Sequence, residues 1–322
     1  MTGSIFKRAT KTQRPLRLAF VGYEGQGKTW SALAVATRIA EKVGKPIALA
    51  DTEGGSSRIY ADKFEFDVVE MTEHSPEEYV NVIEEAEKAG YGVLIIDSLS
   101  HEWVGAGGAI EIVDSLKQGG GYGWDKISPR HRRVFEAMLR SRIHVIATMR
   151  QKKAYVEDTN SRGRKTMKVV GTEPVQREGA EYEFDVIATI TDAVMTITKS
   201  RVDTMPTGKS FVRPGSDVAD LLLAFLEKGE PLPPPMTQET RQRVDALRMA
   251  ASGNTDLKPL YDAAVGILKG AGFTSWSAFL EKGSEAQAFA VEAALTPAPA
   301  PETPEAPAES SNGEVKQPQL VA

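Results

Sequence analysis

Short apolar runs alternate along the first two-thirds of the chain with stretches whose hydrophobic residues recur every third or fourth position. Leu16-Arg17-Leu18-Ala19-Phe20-Val21, Ile47-Ala48-Leu49-Ala50-Asp51, Val93-Leu94-Ile95-Ile96-Asp97 and His144-Val145-Ile146-Ala147-Thr148-Met149 read as strands buried on both faces. Phe66-Asp67-Val68-Val69 is a shorter candidate. Helical spacing fills the gaps over 30–43, stopped by Gly44, and from Ser75-Pro76-Glu77-Glu78 to about Ala89. A further helix runs from Ser128-Pro129 to about Arg142; both of these starts pair a capping serine with a first-turn proline. The alternation predicts an α/β fold with a mostly parallel central sheet covered on both faces. Residues 184–190 and 194–198, split by Thr191-Asp192-Ala193, predict a hairpin at the far edge of the sheet, and a short helix over 218–226 closes the core.

The same pattern divides the chain. Residues 1–15 form an N-terminal arm carrying Lys7, Arg8 and Lys11, residues 16–229 the core, and 230–236 a stiff proline-rich linker. Residues 237–295 predict a small helical domain with Leu257, Leu260, Tyr261, Ala264, Val265 and Leu268 on one face. Residues 296–322 are rich in Pro, Ala and Glu, cannot form a core, and are expected to be disordered. A hydrophobic content of 41% is ample for a buried core, and zero cysteines exclude disulfides, thiolate nucleophiles and cysteine-ligated metals. No signal-length or membrane-spanning apolar stretch is present, so a soluble cytoplasmic protein with no membrane partner is expected.

Charge adds one feature that periodicity does not show. The net charge of −5 conceals fourteen Lys/Arg against four acids from Lys117 to Lys168, a net of +10 that leaves −15 for the remainder. Such a segment suits a phosphate backbone, although a solvated face of ordinary arginines accounts for it equally well. His74, His101, His131 and His144 have no metal-ligand spacing.

The first strand feeds Gly22-Tyr23-Glu24-Gly25-Gln26-Gly27-Lys28-Thr29, and Trp30 opens the apolar helix after it. This is a P-loop in its strand–turn–helix setting: backbone N–H groups from Gly22 to Trp30 surround a nucleotide β-phosphate, Lys28 reaches the β- and γ-phosphates, and the Thr29 hydroxyl serves Mg²⁺. Asp97, at the end of its strand, is the acid expected on the Mg²⁺ side. Asp51 and Glu53 end the second strand, at the carboxyl edge where ligands bind in open α/β sheets. In-line attack on a γ-phosphate needs a carboxylate that orients water; Glu53 is the candidate base, though the residues themselves leave the choice from Asp51 open.

Asp51-Thr52-Glu53, Arg58-Ile59-Tyr60-Ala61 and Leu94-Ile95-Ile96-Asp97-Ser98 resemble the core of bacterial RecA recombinases, and the ensemble resembles phage nucleotide-binding ATPases with RecA-like cores, some of them single-strand annealing or recombination proteins. The resemblance covers about 16–226 and is strongest at the phosphate site. It implies a RecA-like P-loop NTPase with ATP and Mg²⁺ as cofactors, Glu53 as the residue that activates water, and Lys28, Thr29 and Asp97 as phosphate and metal residues. It also implies that Lys199 and Arg201 reach the nucleotide of a neighbouring protomer in a ring or filament, and that single-stranded DNA is the partner, with a phage replication or single-strand-binding protein as a further one. The DNA loops of that family match 119–126 and 152–178, which points to Tyr122 and Trp124 for base stacking and to Arg130, Arg132, Arg133, Arg162, Arg164 and Lys165 for phosphates. A helicase-loader or packaging accessory acting on proteins is the alternative. The chain departs from RecA at Thr148-Met149, where RecA has an Asn-Gln pair coupling the γ-phosphate to DNA, and it lacks RecA's N-terminal filament element.

Overall fold

The computed structural model describes residues 8–118, 123–159 and 165–296. It forms two compact units that divide between Leu232 and Pro233. In the first, β1 (Arg17–Gly22), β2 (Ile47–Asp51), β3 (Asp67–Glu70), β4 (Val93–Asp97), β5 (His144–Thr159) and β7 (Val186–Thr191) pair in parallel in the order β3-β2-β4-β5-β1-β7. Antiparallel β8 (Val194–Ser200) and β9 (Ser210–Val212) extend it past β7, and β6 (Lys165–Pro174) pairs antiparallel with the distal half of β5. The fold is thus α/β with a mostly parallel central sheet.

Side chains alternate across each strand, which is why β1 is buried along its whole length. Leu18 and Phe20 pack with α1 (Lys28–Val43) and α6 (Ser216–Leu226), while Ala19 and Val21 face the opposite layer, formed by α2 (Pro76–Lys88) and α5 (Gly123–Arg140). Local signals set the helix ends: Gly44 closes α1 at φ 65°, and Ser75 and Pro76 open α2 with Glu77 and Glu78 in its first turn. The short α3 (Ser100–Val104) and α4 (Ala109–Gln118) follow β4.

Three expectations are corrected. The helix predicted to start at Ser128-Pro129 begins at Gly123 and carries Pro129 inside it. An interior proline costs about 3 kcal/mol, but Gly123 and Ile127 are buried against α4, and a Cβ on Gly123 would lie 2.8 Å from the Val113 carbonyl oxygen. Close packing therefore extends the helix beyond its local start signal. The strand predicted to end at Met149 continues to Thr159, because its polar extension pairs with β6 in a two-stranded ribbon. The β7–β8 hairpin is one strand in from the edge, since β9 lies outside it.

The N-terminal arm does not stand apart over its described residues. Lys11 and Gln13 exchange backbone hydrogen bonds with Glu230, and Arg14 pairs with buried Asp185. Arg17 is fully buried, donating from its guanidinium to the carbonyls of Leu16, Ser141 and Ile143, and burial lowers its pKa to about 10.

The second unit packs α7 (Gln238–Ser252), α8 (Lys258–Gly270), α9 (Trp276–Lys282) and α10 (Glu285–Leu295) around Val244, Ala264, Leu268, Phe279 and Val291. Thr237, Ser275 and Ser284 cap three of these helices through their side chains, and Ser284 with Gln287 completes a capping box. The predicted tail lies outside the described residues apart from Thr296. Among the described residues no helix is long and apolar enough to cross a membrane.

Candidate nucleotide site

Strand register assembles the site. Gly22 lies beside Arg150, Phe20 beside Thr148, and Asp51 beside Asp97, so the carboxyl ends of β1, β2, β4 and β5 reach one edge together. The turn after β1 places Gly25 at φ 73° and Gly27 at φ 94°, where a side chain would be strained, and Gly27 caps α1. A cleft of about 340 Å³ opens there, lined by Tyr23, Glu24, Gly25, Gly27, Lys28, Thr29, Glu53, Tyr60, Asp97, Arg150 and Gln151.

Asp97 is buried and accepts hydrogen bonds from Thr29 Oγ1 at 2.6 Å and from Thr148 Oγ1. Burial pushes its carboxyl up, against the two hydroxyl donors and the Lys28 charge. Lys28 Nζ donates to the Tyr23 carbonyl at 2.8 Å; burial lowers its pKa, and the charges of Asp97 and Glu53 oppose that shift. An anion bound in the cleft would offset the desolvation of this ammonium.

The two acids after β2 have separate surroundings. Asp51 is buried, with Oδ1 accepting the Glu53 N–H at 2.7 Å and Oδ2 accepting the Ser57 N–H and hydroxyl at 2.8 and 2.5 Å. Its lone pairs hold the loop that carries Glu53. Glu53 faces the cleft, where its Oε1 accepts from Arg150 Nε at 3.2 Å and Nη2 at 2.9 Å.

The remaining predicted residues scatter. Gln26 turns away to the β7–β8 hairpin, accepting from Asp192 N at 2.6 Å. A Cβ on Gly22 would meet the Ile190 carbonyl oxygen at 2.6 Å, so strand approach requires glycine there. Trp30 lies outside the cleft lining, edge-on to Tyr60 and Phe64. Lys199 bonds the carbonyls of Glu181, Tyr182 and Phe184, and Arg201 that of Tyr182; neither lines the cleft of its own chain.

Among the DNA candidates, Tyr122, Arg162 and Arg164 lie outside the described residues. Trp124 packs at a tilt against Trp103 with ring centroids 5.5 Å apart, so part of its surface is already covered. Arg130 spends a two-pronged contact on Glu77 at 2.6 Å, Arg132 lies 3.4 Å from Glu136, and Lys165 pairs with Glu157 at 3.0 Å. Arg133 is exposed near Glu77. The sequence reading missed Thr148 as the second donor to Asp97 and Arg150 as the partner of Glu53. The sign available was that Thr148 and Arg150 flank the end of the predicted apolar strand, whose residues pair with both β1 and β4.

The model of the AAA domain family matches residues 14–219, more than half of the chain. The chain belongs to that family. Its AAA domain is a P-loop NTPase domain, with nucleotide binding and ATPase activity as the general activity. Among solved structures it is similar to a KaiC-like protein from the hyperthermophilic archaeon Pyrococcus horikoshii, at 16% identity over 60% of this chain and 83% of that one, with a TM-score of 0.37. None of the curated proteins matches it.

Proposed function

We propose that this AAA-family chain is a Mg²⁺-dependent ATP hydrolase with a RecA-like core, acting on single-stranded DNA to promote annealing or homologous recombination in phage DNA metabolism. The observation that carries the hydrolase reading is the convergence of Lys28, Thr29, Asp97 and Glu53 on one cleft beside the P-loop. These residues fit nucleotide and metal: the glycine turn presents backbone N–H groups at a helix start, Lys28 is a cation that burial makes receptive to phosphate, and Thr29 with Asp97 pairs a hydroxyl and a buried carboxylate. Mg²⁺ takes few protein ligands and completes its shell with phosphate and water, which suits a site built on two side chains.

In this reading Lys28 and the P-loop amides bind and orient the phosphates, Asp97 holds water on the metal side, and Glu53 accepts the proton of the attacking water. Bound ATP with Mg²⁺ supplies the electrophilic phosphoryl group. Glu53 rather than Asp51 takes the base role in this reading, because Glu53 lines the cleft while Asp51 lies outside its lining and bonds within the loop. Lys199 and Arg201 lie outside their own cleft and in this reading serve a neighbouring protomer in a homo-oligomer, for which Lys199 exchanges its carbonyl acceptors for phosphate.

The DNA part rests on the net +10 between Lys117 and Lys168 and on the RecA resemblance. The pairs at Arg130, Arg132 and Lys165 leave less free charge than the residue count suggests. The deciding experiment measures ATP hydrolysis with and without single-stranded DNA at low and high salt. A DNA-dependent rate and salt-sensitive binding are expected; hydrolysis indifferent to DNA, together with no binding at low salt, refutes this part. One observation favours the reading in which a protein is the partner: Tyr155, Met167, Val169 and Val170 are exposed along the β5–β6 ribbon. A ribbon variant that loses a captured phage or host protein while keeping DNA affinity would select it.

A further inference from the structure

The Thr52 hydroxyl, one residue before Glu53, joins the ends of two strands. Thr52 is buried; its N–H donates to the Asp97 carbonyl at 2.8 Å, and its Oγ1 accepts the Ser98 N–H at 2.7 Å. The hydroxyl proton then has two acceptors in reach. His101 Nδ1 lies at 2.6 Å, whereas the Ser98 carbonyl lies at 3.4 Å and already accepts from the Tyr79 hydroxyl at 3.0 Å. This geometry gives the Thr52 proton to the His101 ring, in the tautomer that carries its own proton on Nε2. Burial first, then the charges of Arg150 and His74, lower the His101 pKa against the opposing charge of Glu53, which favours the neutral ring that can accept.

His101 reaches Thr52 from an element anchored elsewhere. α3 has five residues, too few to hold its place by its own hydrogen bonds, and the residues on either side of His101 fix it. Ser100 Oγ accepts the Arg150 N–H at 2.9 Å, while fully buried Glu102 bonds His131 Nδ1 at 2.9 and 3.0 Å and accepts from Gln176 Nε2 at 3.2 Å. The His74 ring packs against His101 with centroids 5.2 Å apart. Glu53 has less to hold it. Its carboxylate pairs with Arg150, but the pair is part-exposed, with the side chains 28% and 45% accessible, and such a pair fixes little. The place of Glu53 in the cleft therefore depends on its backbone, through Asp51 on its N–H and through Thr52.

We propose that His101 is a positioning residue for hydrolysis: by accepting the Thr52 hydroxyl proton it holds the Thr52–Glu53 backbone against the Asp97–Ser98 strand end, so that Glu53 meets the attacking water. The proposal rests on the hydrolase reading above, with Glu53 as the base. His101 is not among the residues that line the cleft, whereas Glu53 and Asp97 are, so its bonded route to both runs through Thr52. A base displaced by a fraction of an ångström keeps its chemistry and loses its alignment, which lowers turnover and leaves phosphate binding to the P-loop as it was.

The test measures ATP hydrolysis by the full-length protein with Mg²⁺, expressed per site counted by ATPγS binding. His101→Phe keeps a ring and removes the acceptor; Thr52→Val keeps the volume and removes the hydroxyl. Each should lower kcat about tenfold to a hundredfold with KM within about twofold. The double variant should be no slower than the slower single one, because both remove the same bond. His101→Asn, which keeps an acceptor near the Nδ1 position, should fall between His101→Phe and the wild type. In a Glu53→Gln background, His101→Phe should change kcat by less than about twofold. Wild-type kcat in His101→Phe, multiplied losses in the double variant, or the same loss with Glu53 present or replaced overturns the proposal. A wild type that binds ATPγS without hydrolysing ATP, or full turnover in Glu53→Gln, refutes the hydrolase reading or its base and this inference with them. Turnover lost in Glu53→Gln but kept in His101→Phe refutes this inference alone.

Discussion

His144 gives the structure a pH dependence that can be worked out in advance. It opens β5, and its Nδ1 accepts the Leu16 N–H at 3.1 Å, joining the base of β5 to the start of β1. Burial first, and the Arg17 charge second, lower its pKa from 6.5 to about 4. A protonated Nδ1 would also turn a donor toward the Leu16 donor. Because the folded pKa lies below the unfolded one, the unfolded chain binds the proton more readily between these values, and stability rises with pH there. The contribution is fully present above about pH 6.5 and is lost as pH falls toward about 4. At pH 5 the unfolded ring is almost wholly protonated and the folded ring almost wholly neutral, a difference worth about 2 kcal/mol relative to pH 7.5. The perturbation is His144→Asn, which keeps an acceptor near the Nδ1 position and removes the titration. Urea denaturation of both proteins at pH 7.5 and pH 5 should show the stability difference between wild type and variant changing by about 2 kcal/mol in favour of the variant at the lower pH. The same pH slope in both proteins would refute the reasoning.

Three further outcomes are expected. Lys28→Ala should lose nucleotide affinity, whereas Glu53→Gln should keep it and hydrolyse about 10²–10⁴-fold more slowly; full turnover in Glu53→Gln, measured by phosphate release, removes Glu53 as the base. Thr148→Val strips one hydroxyl donor from buried Asp97, which should cost about 1–3 kcal/mol and raise the pH needed for Mg²⁺-dependent nucleotide binding. An unchanged melting temperature and pH profile would count against that role. Gly22→Ala drives a methyl group to 2.6 Å from the Ile190 carbonyl, so β1 and β7 must separate. A loss of about 1–3 kcal/mol in urea denaturation is expected, and wild-type stability would contradict the close approach.

Legibility in the sequence followed the range of the interaction. The P-loop could be read directly because a strand, a glycine turn and a helix start are contiguous, and left-handed Gly25 and Gly27 are needs of the local backbone. Asp97 was visible as an acid ending an apolar run. The choice of Glu53 over Asp51 for the cleft was not, since it turns on which oxygens Ser57 and the Glu53 amide consume. The basic segment was visible as charge, but the countercharge of Arg130 is Glu77, 53 residues earlier, brought there by the packing of α2 on α5.

The sequence by itself determined the class of fold, the phosphate-binding turn and the residue types available at the carboxyl edge of the sheet, because hydrophobic period and backbone sterics act between near neighbours. Only the tertiary structure decided which of those residues meet. Register set Thr148 against Asp97 and Gly22 beside Arg150, and the same pairing carried β5 past the sheet into a ribbon rooted at the cleft. Such contacts join strands that are adjacent in space and distant along the chain, and no local propensity encodes the register that brings them together.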